Sequence, residues 1–596
     1  MPVSLCMIVK NEEACLPGCL RSVRGVADEI IVVDTGSTDG TVKVAESFGA
    51  KVYRCEWNDS FSEARNCSLS KATKDWILVM DADDVFERED LQKLLSITRG
   101  GDGEADVYCG RTLCYSGDTP DGGSVLLNMN VRLIRNNRGF CYRGRIHEQI
   151  VRMENGRAVP FRIAAAEIRF HHYGYLSSCI ETKDKHARNI ALIKKELEDR
   201  PDDPFMFFNL GNEYFAMKEI EKSFGYYERS LEKTDFSQGY APMLLLRAAM
   251  CCDILNRDEE LFRFVRLGLL RYPHMTDFEF LRGNALLRQK RLTAALRSYN
   301  RCIRMGEPPA DSNSVLGVGT FRPELALSNV CERLGEYDKA LRHCEKALRY
   351  NPRLNAAVER EADLLIRKGR SFASIRKRLQ KLIPESVSSC LMLSDIFYGR
   401  GAFGEAFRLA ARAAVLAPGN AFARYREGMC AFRLKKYGRA YALFGGLPEG
   451  NLREDAAWMR FFCAELAPGS PGLKRGALKE LAGPRLAVAQ SYRRLARGEP
   501  CGVLSDTPEG SAPYAGPIFD LLEASLTAGR PEMFRKALRL LDLISDDGAF
   551  LRLGKLYYRA GYAKLAYRAL ERSIRQTGKM DAEGLCMMKN TIASAK

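Results

Sequence analysis

Asp81-Ala82-Asp83-Asp84 sets three carboxylates directly behind the apolar run Trp76-Ile77-Leu78-Val79-Met80. Such a run reads as a buried strand, and open α/β sheets bind ligands beyond the carboxyl ends of their strands. Clustered anions call for a cation. Mg²⁺ or Mn²⁺ takes oxygen ligands and shares them with substrate phosphates, so a strand-end Asp-x-Asp points to a diphosphate-bearing substrate held through metal. An ordinary Asp-rich turn has the same composition, and the surroundings must decide. Asp34-Thr35-Gly36-Ser37-Thr38-Asp39-Gly40-Thr41 lies between the strand-like Glu29–Val33 and a helix. Its small, turn-forming and capping residues would let a nucleotide approach backbone amides, or simply join strand to helix. Two further clusters carry titratable groups: His147-Glu148 within Arg143–Gln149, and His171-His172-Tyr173-Gly174-Tyr175, which holds two of the six histidines.

The elements that must position these residues alternate in type. Val3–Val9, Glu29–Val33, Lys51–Glu56 and Trp76–Met80 have strand patterning, while Glu13–Arg24, Thr41–Phe48, Phe61–Lys71 and Arg88–Ile97 have helical spacing. Alternation over this length predicts a mainly parallel sheet covered by helices. Past Asp84 the strand-like Val107–Leu113 and Asn128–Ile134 flank the turn-rich residues 116–123, which predicts an antiparallel addition. From about residue 200 the chain turns helical and repetitive. Leu210-Gly211, Tyr214, Ser223, Tyr227 and Ser230 have tetratricopeptide spacing, and the register returns at Leu327, Ala340 and Pro352, at Leu393, Ala406 and Pro418, at Gly428, Ala440 and Phe444, and at Gly554, Ala566 and Leu570. Small residues at these positions let paired helices approach closely, and the repeated phase predicts a solenoid. The signal fades between about Ala456 and Glu499, and Gly469–Gly472 reads as a break or a degenerate repeat. The expected fold class is therefore α/β plus all-α. The expected boundaries are 1–175 for the sheet domain, 176–200 for a helical linker, 201–455 for the solenoid, and 456–596 for degenerate and C-terminal repeats.

At 596 residues, with 46% hydrophobic and 28% charged residues, the chain has the composition of a multidomain globular protein. Met1–Val9 reads as a strand and not as a signal segment, and no apolar stretch approaches bilayer length. A cytoplasmic protein with no integral membrane segment is expected, with peripheral attachment at the inner membrane surface left open. The 19 cysteines lack paired metal-site spacing and are expected to be reduced, mostly buried thiols. The net charge of +16 favours anionic partners. Without a zinc finger, an RNP-like strand or a long basic run, nucleic acid is not among those expected.

Ser4–Glu13 (SLCMIVKNEE), Ile31–Thr41 (IVVDTGSTDGT), Ala64-Arg65-Asn66 and Asp81–Asp84 stand in the order and approximate spacing of a family-two, GT-A-fold glycosyltransferase, which the first third of the chain resembles. The resemblance implies a nucleoside diphosphate sugar, usually a uridine one, with Mg²⁺ or Mn²⁺. It implies that Ile8, Val9, Glu12 and Asp34 hold the uracil and ribose, and that Asp39 and Arg65 support the nucleotide and diphosphate. Asp81 would approach the ribose or sugar hydroxyls, Asp83 would ligate the metal directly, and Asp84 would contribute less. Arg65 has a second reading as a helix-face salt bridge. Inversion at the anomeric carbon requires a base. Glu148 is assigned to it, with Asp118 and Asp121 next in line, and His147 would be a phosphate or metal neighbour or a strand-end histidine bonded to backbone. His172 is assigned to metal or diphosphate, with packing against Tyr173 and Tyr175 as its alternative. Neither the Gln-x-x-Arg-Trp segment of processive synthases nor membrane helices accompany these motifs.

A hexosyltransferase-type enzyme with tetratricopeptide repeats is thus expected, transferring sugar to a protein, peptide or cell-surface saccharide. Helix-pair repeats form extended concave surfaces suited to proteins and peptides, and peptide S-glycosyltransferases combine this catalytic fold with repeats. The repeats could instead build a homodimer. The competing expectation is a non-catalytic tetratricopeptide scaffold with a nucleotide-sugar-sensing front domain.

Overall fold

The apolar runs of the first eighty residues become one side of a nine-stranded sheet. In the computed structural model, which describes residues 2–99, 105–117, 125–176, 185–309, 313–447, 451–467 and 478–593, β1 (Val3–Val9), β2 (Glu29–Asp34), β3 (Lys51–Arg54) and β4 (Trp76–Val79) run parallel in the order β3-β2-β1-β4. Strands covered on both faces are apolar throughout. Leu5 and Met7 of β1 pack with Leu16 and Leu20 of α1 (Leu16–Ser22) and Ala45 of α2 (Thr41–Ser47) on one face. Cys6 packs with Leu69 of α3 (Phe61–Ser70) on the other. Glu29 is tied to β1 and to the turn before β4 by bonds from Ser4 Oγ (2.7 Å), Lys51 Nζ (2.8 Å) and the Thr73 amide (2.9 Å). These overcome the effect of burial and hold its carboxyl down at about 2.

Beyond the carboxylate cluster come β5 (Asp84–Phe86), α4 (Leu91–Arg99), β6 (Val107–Gly117) and β7 (Val125–Arg135). A small antiparallel sheet follows, of β8 (Phe140–Arg143), β9 (Gln149–Glu154) and β10 (Arg157–Val159), and then β11 (Ile163–Leu176). The large sheet continues from β4 as β7-β6-β11-β5, with β7 antiparallel to β4. The antiparallel addition agrees with expectation. β5 was not foreseen, because three residues are too few to show a period. The helix read from Arg88 begins at Leu91, behind a 3₁₀ turn over Arg88–Asp90. The strand read as Ile163–Phe170 runs to Leu176, so His171 and His172 are sheet residues, and His172 stands in register with Asp84. Asp118, Asp121 and Gly469–Gly472 lie outside the described residues.

Helix pairs follow from Lys185–Asp199 onward. The small residues read from sequence meet aromatic or branched partners. A Cβ on Gly211 would fall 2.3 Å from the Tyr227 ring, on Gly428 2.7 Å from Phe444, and on Gly554 2.6 Å from Leu570. The residues group into two compact units, Met1–Lys368, which holds the sheet and the first helices, and Gly369–Lys596. Every described cysteine is free and most are buried. Among the described residues no helix is long and apolar enough to cross a membrane.

β7 outruns β4, and the backbone groups it leaves are taken up from far along the chain. β12 (Ser314–Val315) pairs with Leu126 and Leu127, and Asn313 Oδ1 accepts the Met129 amide at 2.8 Å. This covers a sheet edge that would otherwise be open. Asp277 secures the connection by accepting the Val315 amide at 2.8 Å, while its Oδ2 is buried without a hydrogen-bond partner among the described residues. Burial pushes the Asp277 carboxyl up to about 7, and the Val315 bond offsets only part of that rise. An unfolded aspartate ionises near pH 3.9. The folded chain keeps the proton to about 7, so this residue lowers stability as pH rises across that window. Asp277→Asn retains the acceptor and never charges. Melting curves against pH should show that it removes this decline and melts higher at pH 8, by a few kcal/mol at most on the order of the linkage.

Candidate active site

The end of β4 is organised by a buried arginine. Asp84 is fully buried and accepts Arg132 Nη1 at 2.6 Å through Oδ2. Arg132, from β7, also donates to the Val79 carbonyl (3.3 Å) and Thr112 Oγ1 (3.0 Å), and its guanidinium lies 4.5 Å over the Phe170 ring. Gly110 gives it room, since a Cβ there would meet Phe170 at 2.7 Å and Arg132 at 3.0 Å. Burial works against the Asp84 charge, but Arg132 and His172 outweigh it and hold the carboxyl far below its ordinary range. Asp84 is thereby a fixed anion that aims its neighbours. Oδ2 accepts the Asp81 amide at 3.0 Å and shapes the turn, and Oδ1 meets His172 Nδ1 at 3.0 Å.

The bond to Asp84 makes Nδ1 the proton-bearing nitrogen of a neutral His172 and directs Nε2 to the other side of the ring. A carboxylate holding the far nitrogen of a histidine is the usual support of a metal ligand. Nε2 and Asp83 Oδ2 converge on Gly174, where a Cβ would lie 2.8 Å from the first and 2.4 Å from the second. Asp83, Asp84 and His172 each offer a ligand atom within 4.8 Å of the others. A hard divalent cation fits this donor set, with Asp83 and His172 facing it and Asp84 bracing His172. Burial lowers the His172 pKa, but the Asp84 bond and the charges of Asp83 and Asp84 reverse this and raise it.

The same turn leads to Glu148. Asp81 Oδ1 accepts Arg65 Nη2 at 3.0 Å, and Arg65 Nε donates to Glu148 Oε1. Arg65 stands on α3, whose N-cap Ser60 accepts the Glu63 amide at 3.3 Å, and lies 5.8 Å over the Tyr142 ring. Burial disfavours its charge, yet Asp81 and Glu148 raise its pKa well above the ordinary value. Glu148, Arg65, Asp81, Asp84, His172 and Asp83 thus form one continuous network. Cys19 Sγ lies 3.4 Å from the Asp81 carbonyl, and burial pushes its thiol far up, which leaves no nucleophilic thiolate there.

The expected nucleotide residues gather at the ends of β1 and β2, where Val9 is in register with Asp34 and Ile8 with Val33. Asp34 is buried and accepts the amides of Ser37 (3.1 Å) and Gly36 (3.3 Å). Asn11 Oδ1 accepts the Thr38 amide at 2.8 Å, and the Glu12 amide donates to Thr41 Oγ1 at 2.8 Å. Asp39, just ahead of α2, accepts the Thr41 amide at 3.0 Å and the Thr41 hydroxyl, and these bonds outweigh desolvation and lower its pKa. His147 stands apart from the network. It has a φ of 52°, its Nε2 is buried without a hydrogen-bond partner among the described residues, and burial lowers its pKa against the pull of Glu213 and Glu148.

Arg132 and Thr112 are the site residues that the sequence reading did not single out. A signal existed: an arginine on the inward phase of Val131-Arg132-Leu133-Ile134 is a charge in a buried strand, and such charges need a partner.

The description "Glycosyl transferase family 2" matches residues 4–157, and "Tetratricopeptide repeat" matches residues 325–354. A TPR repeat-containing protein of Synechococcus elongatus is 33% identical over 213 residues, 35% of this chain and 51% of that protein. The SPbeta prophage-derived glycosyltransferase SunS of Bacillus subtilis is 28% identical over 297 residues, 48% of this chain and 68% of that protein. The chain thus spans about half the length of the first relative. Among solved structures, glucosyl-3-phosphoglycerate synthase of Mycobacterium tuberculosis, in complex with Mn²⁺, UDP and glucosyl-3-phosphoglycerate, is 23% identical. That match covers 19% of this chain and 44% of that one at a TM-score of 0.17, too small a likeness to argue from. From the sheet, its carboxylate-ended strand and the two family matches, the chain opens with a glycosyltransferase family 2 domain and continues into tetratricopeptide repeats.

Proposed function

We propose that this protein transfers a sugar from a nucleoside diphosphate sugar, of the uridine class, to a protein, peptide or cell-surface saccharide, inverting the anomeric carbon. The network that joins Glu148 through Arg65 and Asp81 to the Asp83–His172 pair carries this reading, because it sets a candidate base and a candidate metal seat on one strand end. A bound Mg²⁺ or Mn²⁺ supplies charge neutralisation for the departing diphosphate. The chain's own residues do the rest. Ile8, Val9, Glu12 and Asp34 bind the nucleoside, and Asp39 holds the loop beside it. Glu148, oriented by Arg65, takes the acceptor's proton as the acceptor heteroatom bonds to the anomeric carbon. The bond from that carbon to phosphate oxygen breaks, and its electron pair leaves with the nucleoside diphosphate.

Glu148→Gln tests the assignment, since the amide keeps an oxygen for Arg65 and loses the base. Donor binding, read as the thermal shift produced by a uridine diphosphate sugar with Mn²⁺, should stay unchanged, while transfer falls by about 10²–10⁴. Transfer at the wild-type rate would move the base elsewhere. A wild-type protein that binds a nucleotide sugar but neither hydrolyses nor transfers it would instead favour a sensing scaffold, and one that binds none would remove the support for the transferase reading.

A further inference from the structure

The two guanidiniums of the carboxylate network are both committed, Arg65 to Asp81 and Glu148, and Arg132 to Asp84. Neither keeps a charge to spare for the phosphates of a donor. A third guanidinium lies beside them. Arg188 stands on the helix Lys185–Asp199, the first after the sheet domain, with an exposed side chain whose Cζ lies 5.1 Å from the centre of the Phe61 ring. Phe61 and Arg65 are four residues apart on α3 and so are neighbours on one of its faces. Glu12, assigned to the nucleoside, is near enough to act on the Arg188 charge. Arg188 is thus tied to both ends of the donor site, to the nucleoside end by charge and to the network through the Phe61 face of α3.

Among the described residues Arg188 forms no ion pair. Its bonds from Nη2 (2.9 Å) and Nε (3.2 Å) both go to Asn189 Oδ1. Asn189 in turn gives Nδ2 to Glu213 Oε1 at 2.9 Å, and Glu213, buried on the helix Pro204–Ala216, meets His186 Nδ1 at 2.7 Å through Oε2. The Glu213 carboxylate is therefore occupied by His186 and Asn189, and the neutral carboxamide passes on its position without its charge. The helix that carries Arg188 is itself fixed. Leu192 and Ile193 pack with Ile146, Trp57 and Phe61, and Lys195 pairs with Asp59. Loss of water works against the Arg188 charge more than Glu213 and Glu12 favour it, so its pKa falls. An anion brought to the guanidinium would offset that loss, and the planar fork of arginine matches phosphate oxygens two at a time.

We infer that Arg188 binds the diphosphate of the nucleotide sugar, so that the first helix pair behind the sheet domain completes the donor site. Asn189 is its positioning residue. The inference rests on the transferase reading and deepens it, by adding to the donor site a residue from outside the sheet domain.

Arg188→Met keeps an unbranched chain over Phe61 and removes the fork. Dissociation constants for UDP and for uridine, each with Mn²⁺, would be measured on the full-length protein by isothermal titration at one ionic strength. UDP should bind about 10- to 100-fold more weakly in Arg188→Met, the range for hydrogen bonds to a charged group, with uridine unchanged. Arg188→Lys, a point charge without the fork, should fall between the wild type and Arg188→Met. Asn189→Leu should weaken UDP severalfold in the wild-type background and no further on top of Arg188→Met, a non-additivity that general damage to the helix would not produce. Lys194→Met removes an exposed charge from the same helix and should leave both constants as they were. Unchanged UDP binding in Arg188→Met overturns the inference, including the case in which only transfer to an acceptor falls. An equal loss for UDP and uridine also overturns it, as does an equal loss of UDP binding in Lys194→Met. A wild-type protein that binds no UDP removes the transferase reading and this inference with it, and that failure shows in the wild type before any variant is compared.

Discussion

Asp83→Ala removes the metal-dependent stabilisation by nucleotide sugar while leaving the metal-free fold unharmed. At a donor concentration about 100 times Kd, a ligand selective for the folded state adds about 2.7 kcal/mol. The variant should show none of this with Mn²⁺, and its sugar transfer should fall by about 10³ or more, in line with loss of the electrostatic clamp on a leaving diphosphate. Without metal, the change takes one carboxylate from a group of three and relieves like-charge repulsion, so the melting midpoint should hold or rise slightly. Gly174→Ala asks the same question without touching a ligand. The added methyl would stand 2.4 Å from Asp83 Oδ2 and 2.8 Å from His172 Nε2, inside the space a cation would share with them. Gly174 has no left-handed backbone to strain, so donor binding is the property expected to fail. Isothermal titration with Mn²⁺ and a uridine diphosphate sugar reads both variants. Undiminished metal-dependent binding in either one would place the cation away from the Asp83–His172 pair.

Much of this geometry is legible in the sequence. The parallel strands announced themselves because centrally buried strands tolerate only apolar residues, and the turn after each must carry the polar groups. Asp34 and Asp81 therefore fell where their strands end. The helix pairs were legible for a steric reason, since Gly211, Gly428 and Gly554 mark the points where the partner helix inserts a side chain. What stayed hidden depends on long-range pairing. Arg65 had two readings, an ion pair or a diphosphate contact. In the fold it joins Asp81, 16 positions along the chain, to Glu148, 83 positions along, and no local spacing reports such a meeting. Likewise the meeting of His172 with Asp84 depends on β11 passing β5 in register, which the local sequence does not report. The seal made by β12 on β7 was invisible because two residues carry no periodic signal.

The largest expected stability effect lies at a residue no motif contains. Arg132→Met should cost about 3–5 kcal/mol, the range for removing one member of a buried ion pair. Both partners are almost wholly removed from water, with side-chain exposures of 5% for Arg132 and 0% for Asp84. With the guanidinium gone, Asp84 keeps only the Asp81 amide and His172 to support its charge, and the Val79 carbonyl and Thr112 hydroxyl lose a donor as well. The pair need not be net stabilising for this loss to follow, because the cost comes from the charge left behind. Adding Asp84→Asn to Arg132→Met should therefore recover a large share of the stability while leaving transfer impaired, since the neutral side chain no longer fixes the His172 tautomer by charge. A chain of two compact units is not expected to unfold in one step. The readout is therefore hydrogen exchange in Trp76–Val79 and Val125–Arg135, the strands that Arg132 ties together. Protection there should drop in Arg132→Met and return in the double variant, with the Gly369–Lys596 unit unaffected in both. If Arg132→Met instead cost less than about 1 kcal/mol, comparable to an exposed pair, Asp84 would not be the fixed anion on which the orientation of His172 depends.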